Sequence, residues 1–112
     1  MGMSVEEKLH ALGLELPTPP EPMGVYIGAK WSDKIVFSCG QGPFSNTKRG
    51  MVGKDLTIEE GYQAARETCL NCLSQLKKQL GSLDKIKQVL QVVECLKLYL
   101  FHLLLHKLYP KT

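Results

Sequence analysis

The chain has 112 residues, 44% of them hydrophobic and 22% charged, with a net charge of +3. That is enough for one domain with one core, and the balance is that of a soluble globular protein. The basic residues are scattered, with Lys48-Arg49 the one such pair before the long helix, so a solvated surface is expected and no nucleic-acid partner.

Ser4-Val5-Glu6-Glu7 is a capping box that opens a short helix ending at Gly13, with Val5, Leu9 and Leu12 as its apolar stripe. Leu16–Pro22, LPTPPEP, carries four prolines and predicts an extended polyproline-like strap. Val25–Ala29 predicts a strand, Lys30–Asp33 a turn with Trp31 half-buried on it, and Lys34–Cys39 a second strand. Gly40-Gln41-Gly42-Pro43 breaks that strand, Ser45–Gly50 is a polar loop, and Gly50–Val52 could begin a third strand.

Asp55–Gly81 is the most strongly patterned stretch. Thr57 is placed to cap a long helix, Glu60 completes a second capping box, and Gly81 is placed to end it. Ile58, Tyr62, Ala65, Cys69, Cys72, Leu76 and Leu80 trace one face at helical spacing and predict the buried side. Gln63, Arg66, Glu67, Gln75 and Lys78 fall largely on the other, solvent-facing side. Ser82 caps a single turn. Val89, Leu90, Val92 and Val93 fit a buried strand or a continuing helix. Leu96–Tyr109 is leucine-rich, but its longest uncharged run, Leu98–Leu105, falls short of the roughly 20 apolar residues of a membrane span. Strands followed by a long helix predict an α+β sheet with helices on one face.

Cys69 and Cys72 form a CxxC, but in mid-helix on the predicted apolar face they read as core packing rather than redox or zinc chemistry, and Cys95 as a buried small residue. His102 and His106 are one helical turn apart without an evident third metal ligand. The Gly40–Pro43 turn lacks the Lys-Ser/Thr and helix of a phosphate loop. The N-terminus carries Glu6 and Glu7 in place of an apolar signal segment, which predicts a cytoplasmic location with reduced thiols.

The combination resembles the RidA/YjgF family, also labelled endoribonuclease L-PSP. The matching pieces are LELPTPPEP, Val25-Tyr26, IVFSCGQGPF at Ile35–Phe44, and Val52–Val92 from VGKDLT onward. The resemblance implies one chorismate-mutase-like α/β (α+β) domain over 1–112, family-like over 1–95 with a divergent tail over 96–112. Its mixed sheet carries helices on one face, and three subunits form a homotrimer with ligand clefts between them. The implied activity is cofactor-free, metal-free hydrolysis of enamines and imines such as 2-aminoacrylate to keto acids and ammonia.

Carried over by position, the family's tyrosine falls on Tyr26 and its strand-end serine on Cys39, followed by Gly40 as a substrate-binding neighbour. A thiol is a weaker hydrogen-bond donor than a hydroxyl. The family's arginine fork and late glutamate have no counterpart, and Arg49 and Arg66 do not match the motif. The closing strand-helix-strand of the family has no counterpart, and a C-terminally truncated or frame-shifted member is expected; the codons of Leu100, Phe101, His102, Leu103 and Leu104, read from their third base, can supply the Phe-Val-Ser-Ser-Ala of a family-like continuation. The expected function is that of a RidA-like protein related to the imine deaminases but inactive in this form. The alternatives are a non-catalytic oligomeric module that binds a small imine, enamine or other carboxylate ligand or serves as an interaction module through its leucine-rich tail, and an L-PSP-type ribonuclease.

Overall fold

Two capping boxes start the two α-helices among the described residues. The structure is a computed structural model that describes residues 2–22, 24 and 27–95. At Ser4 the hydroxyl accepts from the Glu7 amide while the Glu7 carboxylate accepts from the Ser4 amide, and helix α1 follows over Val5–Ala11. Gly13, at φ 76°, turns the chain out of it. At Thr57 the same reciprocal pair forms with Glu60, and helix α2 runs Ile58–Leu80. Gly81, at φ 86°, donates to the Lys77 carbonyl and ends it. These ends are where the sequence places them, because a cap is a contact between residues three apart.

Between the helices lies an antiparallel hairpin, β1 at Ala29–Ser32 and β2 at Ile35–Ser38, with Ala29 opposite Ser38 and Trp31 opposite Val36. The first strand begins where Val25–Ala29 was expected to end. Trp31 therefore sits in a strand, and the turn moves to Asp33-Lys34. Asp33 enables this by taking φ 56°, a left-handed conformation that Asp tolerates better than most residues. Val52 forms a single parallel bridge with Leu56 rather than a third strand. That bridge closes a tight loop in which Met51 and Leu56 are buried. Gly61 in the first turns of α2 packs on Val52 so closely that an added β-carbon would lie 2.8 Å from its Cγ2.

Helix α2 packs against both strands, and the face it uses is not the predicted one. Ile58 is 77% and Tyr62 65% exposed, Ala65 and Cys69 are exposed, and Cys72 and Leu76 are half-buried. The buried line is Glu67, Leu70, Asn71, Ser74 and Gln75, with Leu80 at the end. Three of these polar side chains are buried because each bonds to backbone far away in sequence. Asn71 Nδ2 donates to the Gly42 carbonyl at 2.9 Å, Gln75 Nε2 to the Pro20 carbonyl at 2.7 Å, and Glu67 accepts from the Phe44 amide. Such bonds offset the cost of burying polar atoms. Residues 86–95 have no regular secondary structure, neither strand nor helix. Val89, Leu90, Val92, Val93 and Cys95 there are exposed, so the apolar stripe of α2 is left without a cover from that segment.

The strap of Leu16–Pro22 is irregular, and Gln75 pins it to α2 through Pro20. The core is small: Ala29, Met51, Leu56, Leu70, Leu80 and Leu83 are the buried hydrophobic side chains among the described residues. Leu83 sits in a 3-10 turn, Leu83–Lys85, that docks on α1 by a crossed pair of bonds. The Asp84 carboxylate accepts from the Val5 amide at 2.7 Å, and the Glu6 carboxylate from the Leu83 amide at 3.0 Å. Each acid thus sits on the exposed amides at the start of the other element.

The bond from the Leu83 amide holds the Glu6 carboxyl below its ordinary range. A depressed carboxyl stabilises the folded chain above its ordinary value, and the gain is lost as pH falls through the folded one. Melting curves of the native chain and Glu6→Gln are therefore expected to differ at neutral pH, with the native chain the more stable. The two should converge in acid, and a gap that persists well below about pH 3 would refute the clasp.

Candidate functional site

The end of β2 is where the chain leaves its ladder and exposes backbone. The Cys39 amide still donates to the Gly28 carbonyl at 2.8 Å, one bond beyond the named strands. The chain then turns through Gly40-Gln41-Gly42-Pro43. Cys39 is half-buried, and its Sγ accepts from Gln41 Nε2 at 3.0 Å, which aims both side chains. A β-carbon on Gly40 would meet nothing within 4 Å, so this position presents bare, open backbone. Of the three residues expected to contact a ligand, the structure places Cys39 and Gly40 side by side at the strand end, and Tyr26 lies outside the described residues. So do His102, His106 and the tail over 96–112.

Alternation along β2 points Ser38 away from Cys39 and toward α2. The Cys72 thiol of α2 lies near it. Burial pushes that thiol above its ordinary value; the Ser38 hydroxyl opposes the shift, and the nearby Cys69 and Cys39 add to it. Cys72 is thus a protonated, packed thiol at neutral pH. The expectation of a packed cysteine holds for Cys72, whereas Cys69 and Cys95 are exposed. Among the described residues no group of three or more His, Cys, Asp or Glu side chains is arranged to hold a metal ion.

The loop is fixed from below by α2. Glu67 accepts from the Phe44 amide at 3.2 Å and from the Thr47 hydroxyl, while Asn71 holds Gly42. Thr47 donates its amide to the Phe44 carbonyl, which closes the turn. Above the loop lies Arg49, whose Nη2 donates to the Pro43 carbonyl at 3.2 Å. Glu67, Asn71 and Thr47 were not anticipated as site residues. The available signal was their pattern: polar residues at 67, 71 and 75 form one line on the helix, while a Gly-Gln-Gly-Pro turn has backbone groups that no ladder can satisfy.

A capped long helix on a hairpin, with a strand-end glycine loop pinned to the helix, defines an α+β protein of the chorismate-mutase-like kind. The chain belongs to the family described as "YjgF/chorismate mutase-like, putative endoribonuclease", whose model matches residues 6–106. Protein TCP17 of Trypanosoma cruzi is 33% identical over 91 residues, 79% of this chain and 57% of that protein. A Shewanella oneidensis crystal structure bearing the same endoribonuclease description superposes with a TM-score of 0.72 at 37% identity, over 78% of this chain and 60% of that one. Atu1372 of Agrobacterium tumefaciens, a protein of unknown function, superposes with a TM-score of 0.65 at 31% identity, over 76% and 54%. The chain thus spans somewhat over half the length of the relatives it matches. No helix among the described residues is long and apolar enough to cross a membrane.

Proposed function

We propose that this chain is a small-carboxylate-binding member of the family, related to enamine and imine deaminases, that does not itself turn over 2-aminoacrylate. The observation that carries the reading is the half-buried Cys39 thiol beside the open Gly40 backbone, on a loop held rigid by Glu67 and Asn71. A fixed loop with bare backbone offers positioned polar groups at little ordering cost. Hydrolysis asks for more: a group that positions and activates water against the bound imine. The carboxylate nearest this loop, Glu67, is buried and already accepts from Phe44 and Thr47. Cys39 stands where the resemblance puts a hydroxyl. Ammonia release from freshly generated 2-aminoacrylate is expected to be the same with and without the protein. Turnover above that background, abolished by Cys39→Ala, would refute the inactive reading.

The bare apolar stripe of α2, Ile58 and Tyr62 with Ala65 and Cys69, favours a second reading alongside the first, self-association of the kind the resemblance implies, a homotrimer. Sedimentation that gives a monomer at all concentrations would remove it.

A further inference from the structure

Each copy of the chain carries two unpaired backbone surfaces. The hairpin is the whole sheet among the described residues, so no third strand pairs with either of its strands. The Cys39 amide on the Gly28 carbonyl makes those two residues a hydrogen-bonded pair, and the alternation repeats at Lys30 with Phe37 and at Ser32 with Ile35. Val36 and Ser38 therefore aim amide and carbonyl outward from the β2 edge. Ile35 and Phe37 beside them are exposed, Phe37 at 60%, so the edge is apolar as well as unpaired. The second surface is the segment Val89–Val93. Its valines and leucine are at least 68% exposed, and no residue from 87 to 95 makes a hydrogen bond among the described residues. β-branched residues at this density suit a strand. The Leu83–Lys85 turn from which the segment leaves packs on α1 and α2 and on neither strand, so the segment starts apart from its own hairpin.

We propose that Val89–Val93 of one copy adds as a third strand to the β2 edge of a second copy, through main-chain bonds to Val36 and Ser38. The proposal rests on the self-association reading above and names a contact other than the α2 stripe. Edge and segment are the two halves of one ladder, and each copy offers one of each. Head-to-tail addition therefore satisfies both and closes as a ring of copies. Val89 and Val93 alternate with Leu90 and Val92, so the added strand is apolar on both faces. One set lies beside Ile35 and Phe37, the other on the α2 side of the sheet.

The test is sedimentation equilibrium of the full chain, with amide exchange, for the native protein, the double variant Gln91→Pro/Val92→Pro, and Ser38→Pro. Two adjacent prolines remove an amide from the added strand in either register. Gln91 and Val92 lie outside any ladder and the Ser38 amide points away from β1, so melting temperatures of the dilute chains should hold. Should Ser38→Pro melt early, Phe37→Lys, on an exposed side chain, replaces it. Each variant should associate about tenfold or more weakly than the native chain. An equimolar mixture of the two should regain part of the association, because one supplies an intact edge and the other an intact segment. In the native chain, amide exchange at Val36 and Ser38 should slow as concentration rises. Native-like association of the double variant would overturn the added strand and leave self-association through the α2 stripe standing. A native monomer at all concentrations would overturn both. Slow exchange at Val36 and Ser38 already in the dilute monomer would place the segment on its own hairpin and overturn the addition between copies.

Discussion

Leu83→Ala is expected to cost about 2–4 kcal/mol of folding free energy, the range for truncating a fully buried leucine. Leu83 is 1% exposed, in the turn that follows α2, and its amide holds Glu6 of α1. Truncation therefore opens a cavity at the junction of three elements and loosens the clasp that docks α1. The core is a handful of side chains, so a loss of this size is a large share of the total. Urea unfolding followed by circular dichroism should show a clear drop in midpoint. Leu12→Ala, on a side chain 73% exposed, should stay within about 0.5 kcal/mol of the native chain. Equal midpoints for Leu83→Ala and the native chain would show that the 3-10 turn is not part of the core.

Glu67→Ala should be nearly as damaging, by about 2–3 kcal/mol, through a different mechanism. It removes the acceptor shared by the Phe44 amide and the Thr47 hydroxyl and leaves two half-buried donors unpaired. Glu67→Gln keeps one carbonyl oxygen and should cost less. Amide exchange at Phe44 should speed up in Glu67→Ala while exchange in the middle of α2 changes less, because the loop loosens before the helix does. Unchanged protection at Phe44 would mean that Asn71 alone holds the loop.

These two residues mark the boundary of what was legible in advance. The ends of α2 were, since Thr57, Glu60 and Gly81 act over one turn each. Its facing was not. Periodicity counts Glu67 and Gln75 as solvent residues, yet each is buried against backbone more than 20 residues away. Val89, Leu90, Val92 and Val93, whose pattern fits a buried strand or a continuing helix, lie exposed in neither, so the stripe from Ile58 to Cys69 is uncovered as well. The hairpin was legible in kind but shifted in register, because Asp33 takes a left-handed turn that propensity does not rank highly. At the site, Cys39 and Gly40 could be singled out from where a strand meets glycines.

Apart from the Thr47 hydroxyl on Glu67, the line of Glu67, Asn71 and Gln75 holds its neighbours at main-chain atoms: an amide at Phe44 and carbonyls at Gly42 and Pro20. Main-chain groups are the same whatever side chain is attached. The helix is thus a bench that clamps the loop while reading one of its letters, Thr47. Gln41, Ser45 and Asn46 can be exchanged without unfastening it. A library randomised at those three positions should keep the native fold in most of its members, while the chemistry offered at the strand end varies freely.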